Sequence, residues 1–191
     1  MAVENMKRSA VLLDRDGTLN IDRGFLHKRE DFVFIEGAIE ALSRLKKKGF
    51  ILVVVTNQSG IATGLYTEEH VNTLHDYVND ELRLHGTGID RFYFCPHHPE
   101  APIERYRKDC ECRKPKPGMI LRALSDLNID PKTSYMIGDM ARDICAGKRA
   151  GVRSILIHEH EETVDTLDCG EKPDLVVHDL LEAAQYILSI A

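Results

Sequence analysis

The chain has 191 residues, of which 43% are hydrophobic and 29% are charged, the composition of an ordinary folded protein. Its net charge of −6 argues against a nucleic-acid partner, because phosphate backbones are bound by basic surfaces. The sequence has no apolar run near the roughly 20 residues of a membrane helix, and residues 1–10 lack the pattern of a secretory signal. We therefore expect a cytoplasmic protein without a membrane partner, and a monomer because no residue pattern specifies a dimer surface.

Short apolar runs alternate with helical patterns along the chain. Strands are predicted at 10–13, 50–55, 91–94, 134–137, 153–157 and 174–177. Helices are predicted at 37–48, after Thr67, after Pro117, at 141–150 and at 179–190. This alternation predicts an α/β fold with a doubly wound parallel sheet and right-handed crossovers. The length fits a single domain over residues 1–191.

The helix after Pro117 is expected to place its proline in the first turn, where the missing N–H is tolerated. We expect its apolar residues to point inward, at positions Ile120, Leu121, Leu124 and Leu127.

Two segments do not fit the alternation. Residues 20–34 follow the first strand and predict a flap, and residues 95–113 form a proline- and cysteine-rich loop that is too long for a plain connection.

An acidic pair follows the first strand directly, in Asp14-Arg15-Asp16-Gly17-Thr18. Two residues apart on extended chain, Asp14 and Asp16 can face the same side, beyond the carboxyl end of the strand where open α/β sheets bind ligands. One carboxylate can attack phosphorus and the other can transfer a proton. The alternative for this motif alone is a polar turn that caps a helix.

Three further groups follow predicted strands or precede a helix. Thr56-Asn57-Gln58 can bind phosphate oxygens or form a turn, and Lys114 can neutralise a phosphate or lie on the surface. Asp139 and Asp143 can bind Mg²⁺, a cation that prefers oxygen ligands, or cap a helix. Taken together and in this order, the groups favour phosphoryl transfer.

The loop at 95–113 has the residues of a zinc site. Three thiolates, from Cys95, Cys110 and Cys112, and one imidazole, from His97 or His98, suit tetrahedral Zn²⁺. A disulfide or scattered reduced thiols are the alternatives, but an odd count of five cysteines favours a reducing compartment. Four protein ligands leave no open position, so the zinc is expected to be structural and to orient Arg113 and Lys114. Cys145 and Cys169 are interpreted as structural or incidental.

These motifs resemble the haloacid-dehalogenase-like hydrolases over about residues 11–151. The resemblance implies that Asp14 is the nucleophile and Asp16 the acid/base, and that Thr56 and Lys114 bind the phosphoryl group. It implies Mg²⁺ held by Asp14, the main-chain carbonyl of Asp16 and Asp139, with Asp143 in support. It also favours His97 over His98 as the zinc ligand, and the short flap implies that a large cap domain is absent.

Within that superfamily, the loop is similar to those of sugar-bisphosphate phosphatases and histidinol-phosphate phosphatases, and the sequences around the flap and Thr56 favour the former. The implied partner is a small sugar bisphosphate. Its implied contacts are Asp22, Arg23, Gly24, Phe25, Thr56, Asn57, Gln58, Ser59, Arg113 and Lys114. Arg113 can grip a second phosphate bidentately. Thr63 and Met140 depart from the family pattern, which often has arginine and lysine there.

Overall fold

The computed structural model describes residues 7–158 and 170–191, and a parallel sheet forms its centre. The strands are β1 (Ala10–Leu13), β2 (Ile51–Asn57), β3 (Arg91–Cys95), β4 (Tyr135–Gly138), β5 (Arg153–Ile157) and β6 (Leu175–Val177). Their order is β3-β2-β1-β4-β5-β6, and every neighbouring pair is parallel. The predicted doubly wound sheet is confirmed.

Helices cover both faces of this sheet. They are α1 (Ala38–Lys48), α2 (Glu68–Leu84), α3 (Gly118–Asp126), α4 (Ala141–Ala150) and α5 (Leu180–Ile190). Alternate residues of β1 point to opposite faces: Val11 and Leu13 pack in a cluster with α1, α2 and α5, whereas Ala10 and Leu12 pack with α3 and α4. The strands are apolar on both faces because both faces are covered.

The helix α3 corrects two expectations. Pro117 is the residue before the helix rather than part of its first turn. Leu121 is 47% exposed, whereas Met119, Ile120 and Ala123 are buried. Because successive residues turn by about 100° on a helix, Leu121 lies one step away from the buried face. Leu124 and Leu127 are partly buried against the core, as expected.

The structure describes the flap and one of the two cysteines outside the loop at 95–113. The flap closes at its base, where Ile21 N–H donates to the Val33 carbonyl at 3.0 Å, and it buries Leu26 and Phe32. Cys145 is buried in α4, and Cys169 lies outside the described residues. Among the helices of the described ranges, none has the length and apolarity to cross a membrane.

The order of the strands determines where polar side chains meet. Successive strands run from β1 to β2 and β3 on one side and from β4 to β5 and β6 on the other, so the carboxyl ends of β1 and β4 form a topological switch point. Asp14 follows β1 and Asp139 follows β4. Asp14 N–H donates to the Ile137 carbonyl at 2.9 Å, so the two strand ends are held side by side.

Candidate active site

Three carboxylates meet at this switch point. One oxygen each from Asp14, Asp139 and Asp143 lies within 4.8 Å of the others. Asp14 and Asp143 are buried, and Asp139 is half-buried. Asp143 is in the first turn of α4, where its Oδ2 accepts a hydrogen bond from Met140 N–H at 3.1 Å.

A buried lysine lies against this acidic group. Lys114 Nζ is 2.9 Å from Asp14 Oδ1 and 2.6 Å from Asp143 Oδ1, and it donates to the Val55 carbonyl at 2.7 Å. Its backbone is held by Asn57, whose Nδ2 donates to the Lys114 carbonyl and whose Oδ1 accepts from Lys114 N–H, at 3.0 and 3.1 Å. In this structure Asn57 therefore fixes the position of Lys114.

Burial and crowding change the acidities of this cluster. Burial raises the pKa of Asp14, Lys114 opposes the rise, and Asp143 adds to it. Burial, and then the charge of Asp143, raise the pKa of Asp139 to about 6. Burial alone would lower the pKa of Lys114, but Asp14 and Asp143 outweigh it and raise the pKa. The site thus has more negative charge than its one lysine can neutralise.

Gly17 allows the aspartates to come this close. Its φ of +86° is in the left-handed region, and a Cβ at this position would lie 2.2 Å from Asp139 Oδ2. A side chain here would therefore be strained and would also displace the Asp139 carboxylate. Besides allowing the chain to turn after β1, Gly17 therefore makes room for the carboxylate that follows β4.

The Asp16 carboxylate has its own set of donors. Arg15 donates from Nε to Oδ1 at 3.2 Å and from Nη2 to Oδ2 at 2.9 Å. Asn20 Nδ2 donates to Oδ1 at 3.0 Å, and Gln58 Nε2 donates to Oδ2 at 3.0 Å. The side chain of Asp16 remains 20% exposed. The carboxylate is therefore oriented by several donors and can still be reached by a ligand.

The Thr56–Ser59 segment mainly organises the site. Gln58 Nε2 also donates to Thr56 Oγ1 at 2.9 Å, and Gln58 Oε1 accepts from Tyr66 Oη at 2.8 Å. Thr56 and Gln58 are buried, and Ser59 is half-buried. The structure places Gln58 between Tyr66 and Asp16, so its amide orients the carboxylate.

The flap tip is the most open part of the predicted substrate site. Asp22, Arg23, Gly24 and Phe25 are all exposed. Asp22 Oδ1 accepts from Gly24 N–H at 2.8 Å, which forms a local turn. Phe25 is 52% exposed although it is aromatic. An exposed aromatic ring beside polar groups is a surface that a sugar can pack against.

The acidic cluster fits a divalent cation. Asp139 Oδ1 is buried and, among the described residues, has no hydrogen-bond partner. Mg²⁺ prefers carboxylate oxygens and keeps further positions for water and phosphate. A cation here would offset the burial, and then the repulsion from Asp143, that raise the pKa of both Asp14 and Asp139. The residues present therefore suit magnesium.

The cysteine loop forms a second compact cluster. Sγ of Cys95 is 3.4 Å from that of Cys110 and 3.2 Å from that of Cys112, and Cys110 and Cys112 are 3.1 Å apart. His97 Nδ1 lies 3.4 Å from Cys112 Sγ. These four atoms converge as the ligands of a tetrahedral Zn²⁺ ion do. His98 points elsewhere, since its Nδ1 accepts from Glu100 N–H at 3.2 Å.

This cluster is tied to the acidic site through the chain that follows it. Arg113 is half-buried and donates from Nη1 to the His97 carbonyl at 3.2 Å. Gly118 N–H donates to the Glu111 carbonyl at 2.9 Å, and a Cβ on Gly118 would lie 2.3 Å from that oxygen. The loop therefore packs closely against the start of α3, with Lys114 held in between.

The two positions that depart from the family pattern have local partners. Thr63 Oγ1 donates to the Gly60 carbonyl at 3.1 Å. Met140 is 44% exposed at the start of α4. Neither side chain supplies a cation near the acidic cluster.

Sequence analysis missed three residues around Asp16: Arg15, Tyr66 and His75. Arg15 is fully buried, although arginine is rarely buried without a partner. His75 lies four residues after Val71 and three before Val78, on the buried face of α2. A histidine on that apolar stripe was an available signal. The contact with Arg15, 60 residues away in sequence, is not visible from spacing.

Similar proteins of known name share one name. A family model described as HAD-hydrolase-like matches residues 111–183. The D-glycero-beta-D-manno-heptose-1,7-bisphosphate 7-phosphatase of Haemophilus ducreyi is 45% identical over 183 residues, which cover 95% of this chain and 100% of that protein. The protein of the same name from Pasteurella multocida is 50% identical over 150 residues, covering 78% and 81% of the two chains.

The fold has a similar solved relative. The crystal structure of D,D-heptose 1,7-bisphosphate phosphatase from B. bronchiseptica, complexed with magnesium and phosphate, superposes with a TM-score of 0.82. The two sequences are 31% identical, and the match covers 96% of this chain and 99% of that chain.

Proposed function

Because this chain belongs to the haloacid-dehalogenase-like hydrolases, in the family of the heptose-bisphosphate 7-phosphatases, we propose that it hydrolyses the 7-phosphate of D-glycero-D-manno-heptose 1,7-bisphosphate. The observation that carries the proposal is the buried triad in which Lys114 Nζ lies 2.9 Å from Asp14 and 2.6 Å from Asp143, beside Asp139. A lysine beside a carboxylate cluster that can hold a divalent cation provides the positive charges that a phosphoryl group needs.

In the proposed reaction, a carboxylate oxygen of Asp14 attacks phosphorus, and the bond between phosphorus and the C7 oxygen breaks. Asp16 gives a proton to the departing oxygen. Water then attacks the phosphorus of the aspartyl-phosphate, Asp16 takes a proton from that water, and the bond between phosphorus and the Asp14 oxygen breaks, which releases inorganic phosphate and restores the carboxylate. Lys114 offsets the repulsion between the attacking carboxylate and the phosphate oxygens.

Both metals have assigned ligands in this proposal. Asp14, Asp139 and the main-chain carbonyl of Asp16 would hold Mg²⁺, which would supply positive charge to the phosphate oxygens. Asp143 supports the site through its contact with Lys114. Cys95, His97, Cys110 and Cys112 would hold Zn²⁺ in a structural role, since four protein ligands complete a tetrahedral site.

The sugar and its second phosphate lie toward the flap. Asp22, Arg23, Gly24 and Phe25 contact the sugar, and Arg113 binds the distal phosphate. Ser59, Thr56, Asn57 and Gln58 line the entry. The β anomer is the proposed substrate because the relatives from Haemophilus ducreyi and Pasteurella multocida are named for it.

The substrate assignment is tested by ³¹P NMR with both heptose bisphosphate anomers and with histidinol phosphate, in MgCl₂. We expect loss of the 7-phosphate signal, retention of the anomeric phosphate, and a larger kcat/KM for the β anomer than for the α anomer. A larger kcat/KM for histidinol phosphate would transfer the assignment to the second family that shares such a loop. Loss of the anomeric phosphate would contradict the proposed regiochemistry.

Magnesium affinity is expected to depend on pH. Burial raises the pKa of Asp139 to about 6 and that of Asp14 to about 7, and only the carboxylate forms bind the cation, so affinity rises as the pH rises through 6 and 7 and then levels off. The Asp139 proton alone makes the affinity at pH 5 about tenfold weaker than at pH 7.5, and the Asp14 proton weakens it further. Calorimetric titration at these two pH values measures the change. A pH-independent affinity would contradict it, and Asp139→Asn should abolish the heat of binding.

The same shift fixes the sign of a stability effect in metal-free protein. The folded state binds the Asp139 proton more tightly than the unfolded chain between about pH 4 and about pH 6. The contribution of Asp139 to the free energy of unfolding therefore falls as the pH rises through this window, and Mg²⁺ restores it by binding the carboxylate.

The cellular role follows from the proposed reaction. The product supplies nucleotide-activated heptose for lipopolysaccharide or other surface glycans, which places the enzyme in the bacterial cytoplasm. It acts as a monomer on a small diffusible substrate. Light scattering coupled to size-exclusion chromatography tests the monomer, and a dimer mass would contradict it.

A further inference from the structure

Arg15 joins three parts of the molecule although the proposed reaction gives it no task. Its Nη2 donates to Asp16 and to the Leu26 carbonyl, each at 2.9 Å. Its Nη1 lies 3.3 Å from Nε2 of His75. The guanidinium thus connects the proposed acid/base, the flap and helix α2 while its side chain is fully buried.

The contact with His75 has a defined direction. A guanidinium N–H can only donate, so Nε2 of His75 accepts, and the ring is neutral with its proton on Nδ1. Burial, and then the charge of Arg15, lower the pKa of His75 to about 3, in agreement with a neutral ring. The ring stacks on Phe92, with centroids 4.3 Å apart and planes at 15°.

This arrangement helps to orient the Asp16 carboxylate, together with the donors from Asn20 and Gln58. Arg15 meets it through Nε and Nη2, so a rotation of the guanidinium would move the carboxylate. The third nitrogen, Nη1, is held by His75. Without that acceptor, a buried N–H would be left unsatisfied, and the guanidinium would turn to find another partner.

We propose that His75 is a positioning residue for the phosphatase reaction: by accepting a hydrogen bond from Arg15, it fixes the guanidinium that orients the Asp16 carboxylate toward the leaving oxygen. This inference rests on the proposed function, and in particular on the role of Asp16 as acid/base. His75 itself touches neither substrate nor metal in this proposal.

The leaving group provides a selective readout. A general acid must lie within hydrogen-bond reach of the departing oxygen, and it contributes about 10² to 10⁴ in rate. A sugar alkoxide needs that proton, whereas p-nitrophenolate is a good leaving group and hardly needs it. Because kcat/KM reports steps up to formation of the aspartyl-phosphate, later water attack does not obscure the comparison.

Two variants separate the hydrogen bond from the packing. His75→Phe keeps a ring that can stack on Phe92 but removes the acceptor, and His75→Gln keeps a neutral acceptor without the ring. We expect His75→Phe to lower kcat/KM for heptose bisphosphate by about 10- to 100-fold, part of the full contribution of the acid. Its kcat/KM for p-nitrophenyl phosphate should change by less than about threefold, and His75→Gln should retain activity toward both.

Three outcomes would overturn the proposal. Equal losses of kcat/KM on both substrates in His75→Phe would show a purely structural role. Unchanged activity toward the sugar would show that His75 has no role in the reaction. A sugar-selective loss in His75→Gln as large as that in His75→Phe would exclude the acceptor as the cause. If wild-type protein does not hydrolyse the sugar, the proposed substrate fails separately, and phenyl phosphate replaces it as the poorer leaving group in the same comparison.

Discussion

Replacing Asp14 by asparagine is expected to lower kcat by at least about 10⁴-fold, because the amide cannot form the aspartyl-phosphate. The fold should survive. Asp14 is buried with a raised pKa, so its charge destabilises the metal-free folded state above the ordinary pKa of an aspartate. Lys114 keeps Asp143 as a partner in the variant.

Activity and unfolding temperature should therefore separate in this variant. In a chelator at pH 8, Asp14→Asn is expected to unfold at a temperature no lower than that of wild type, and the difference should shrink as the pH falls toward 4, because Asp14 of the folded wild type is then protonated and no longer carries a buried charge. Asp80→Asn is the matched control, since Asp80 is an exposed carboxylate of α2 that pairs with Arg83. Substantial activity in Asp14→Asn, or an inactive protein that has unfolded, would contradict the assignment.

Removing the cysteine cluster should have the second largest effect. Cys110→Ser is expected to lose the roughly one zinc ion per chain that the four ligands would hold. Because the loop leads directly into Arg113 and Lys114, we expect kcat/KM to fall by about 10²-fold, the scale of a small misplacement of a catalytic group. The zinc content per chain and the unfolding temperature should fall together, since a structural zinc contributes to folding.

Neighbouring histidines provide the control for this experiment. His97 Nδ1 faces the thiols, whereas His98 Nδ1 accepts from Glu100 N–H. His97→Gln should reduce zinc content, and His98→Gln should leave it unchanged. A metal-free wild-type protein with full activity would eliminate the structural zinc, and equal zinc loss in both variants would show that the cluster is wrongly composed.

Sequence patterns predicted the sheet because its strands are short apolar runs on a regular alternation. Leu12 and Leu13 point to opposite faces of β1 and both are fully buried, so a continuous apolar run is the direct result. The prediction that Leu121 points inward was wrong, because residue type alone does not distinguish an apolar residue on the buried stripe of a helix from one beside that stripe. The distinction depends on the register of α3, which is set by where the helix begins.

The contacts of the candidate site also divide into those that strand order predicts and those that depend on how the helices pack. Asp14 and Asp139 could be brought together from sequence because carboxyl ends of parallel strands share one edge. His75 and Arg15 could not, because their contact joins α2 to the end of β1 and depends on how that helix packs. Asn57 and Gln58 are predicted to contact substrate, and the structure adds that they also hold Lys114 and Asp16.

The covalent intermediate is the claim on which the remaining chemistry depends, and it can be measured directly. Wild-type protein is mixed with Mg²⁺ and substrate, quenched in acid during turnover, and digested for mass spectrometry. The account predicts a phosphoryl group on Asp14 in the peptide that contains it, and none there in Asp14→Asn. Turnover with a phosphoryl group on another residue, or with none on any peptide, would contradict it.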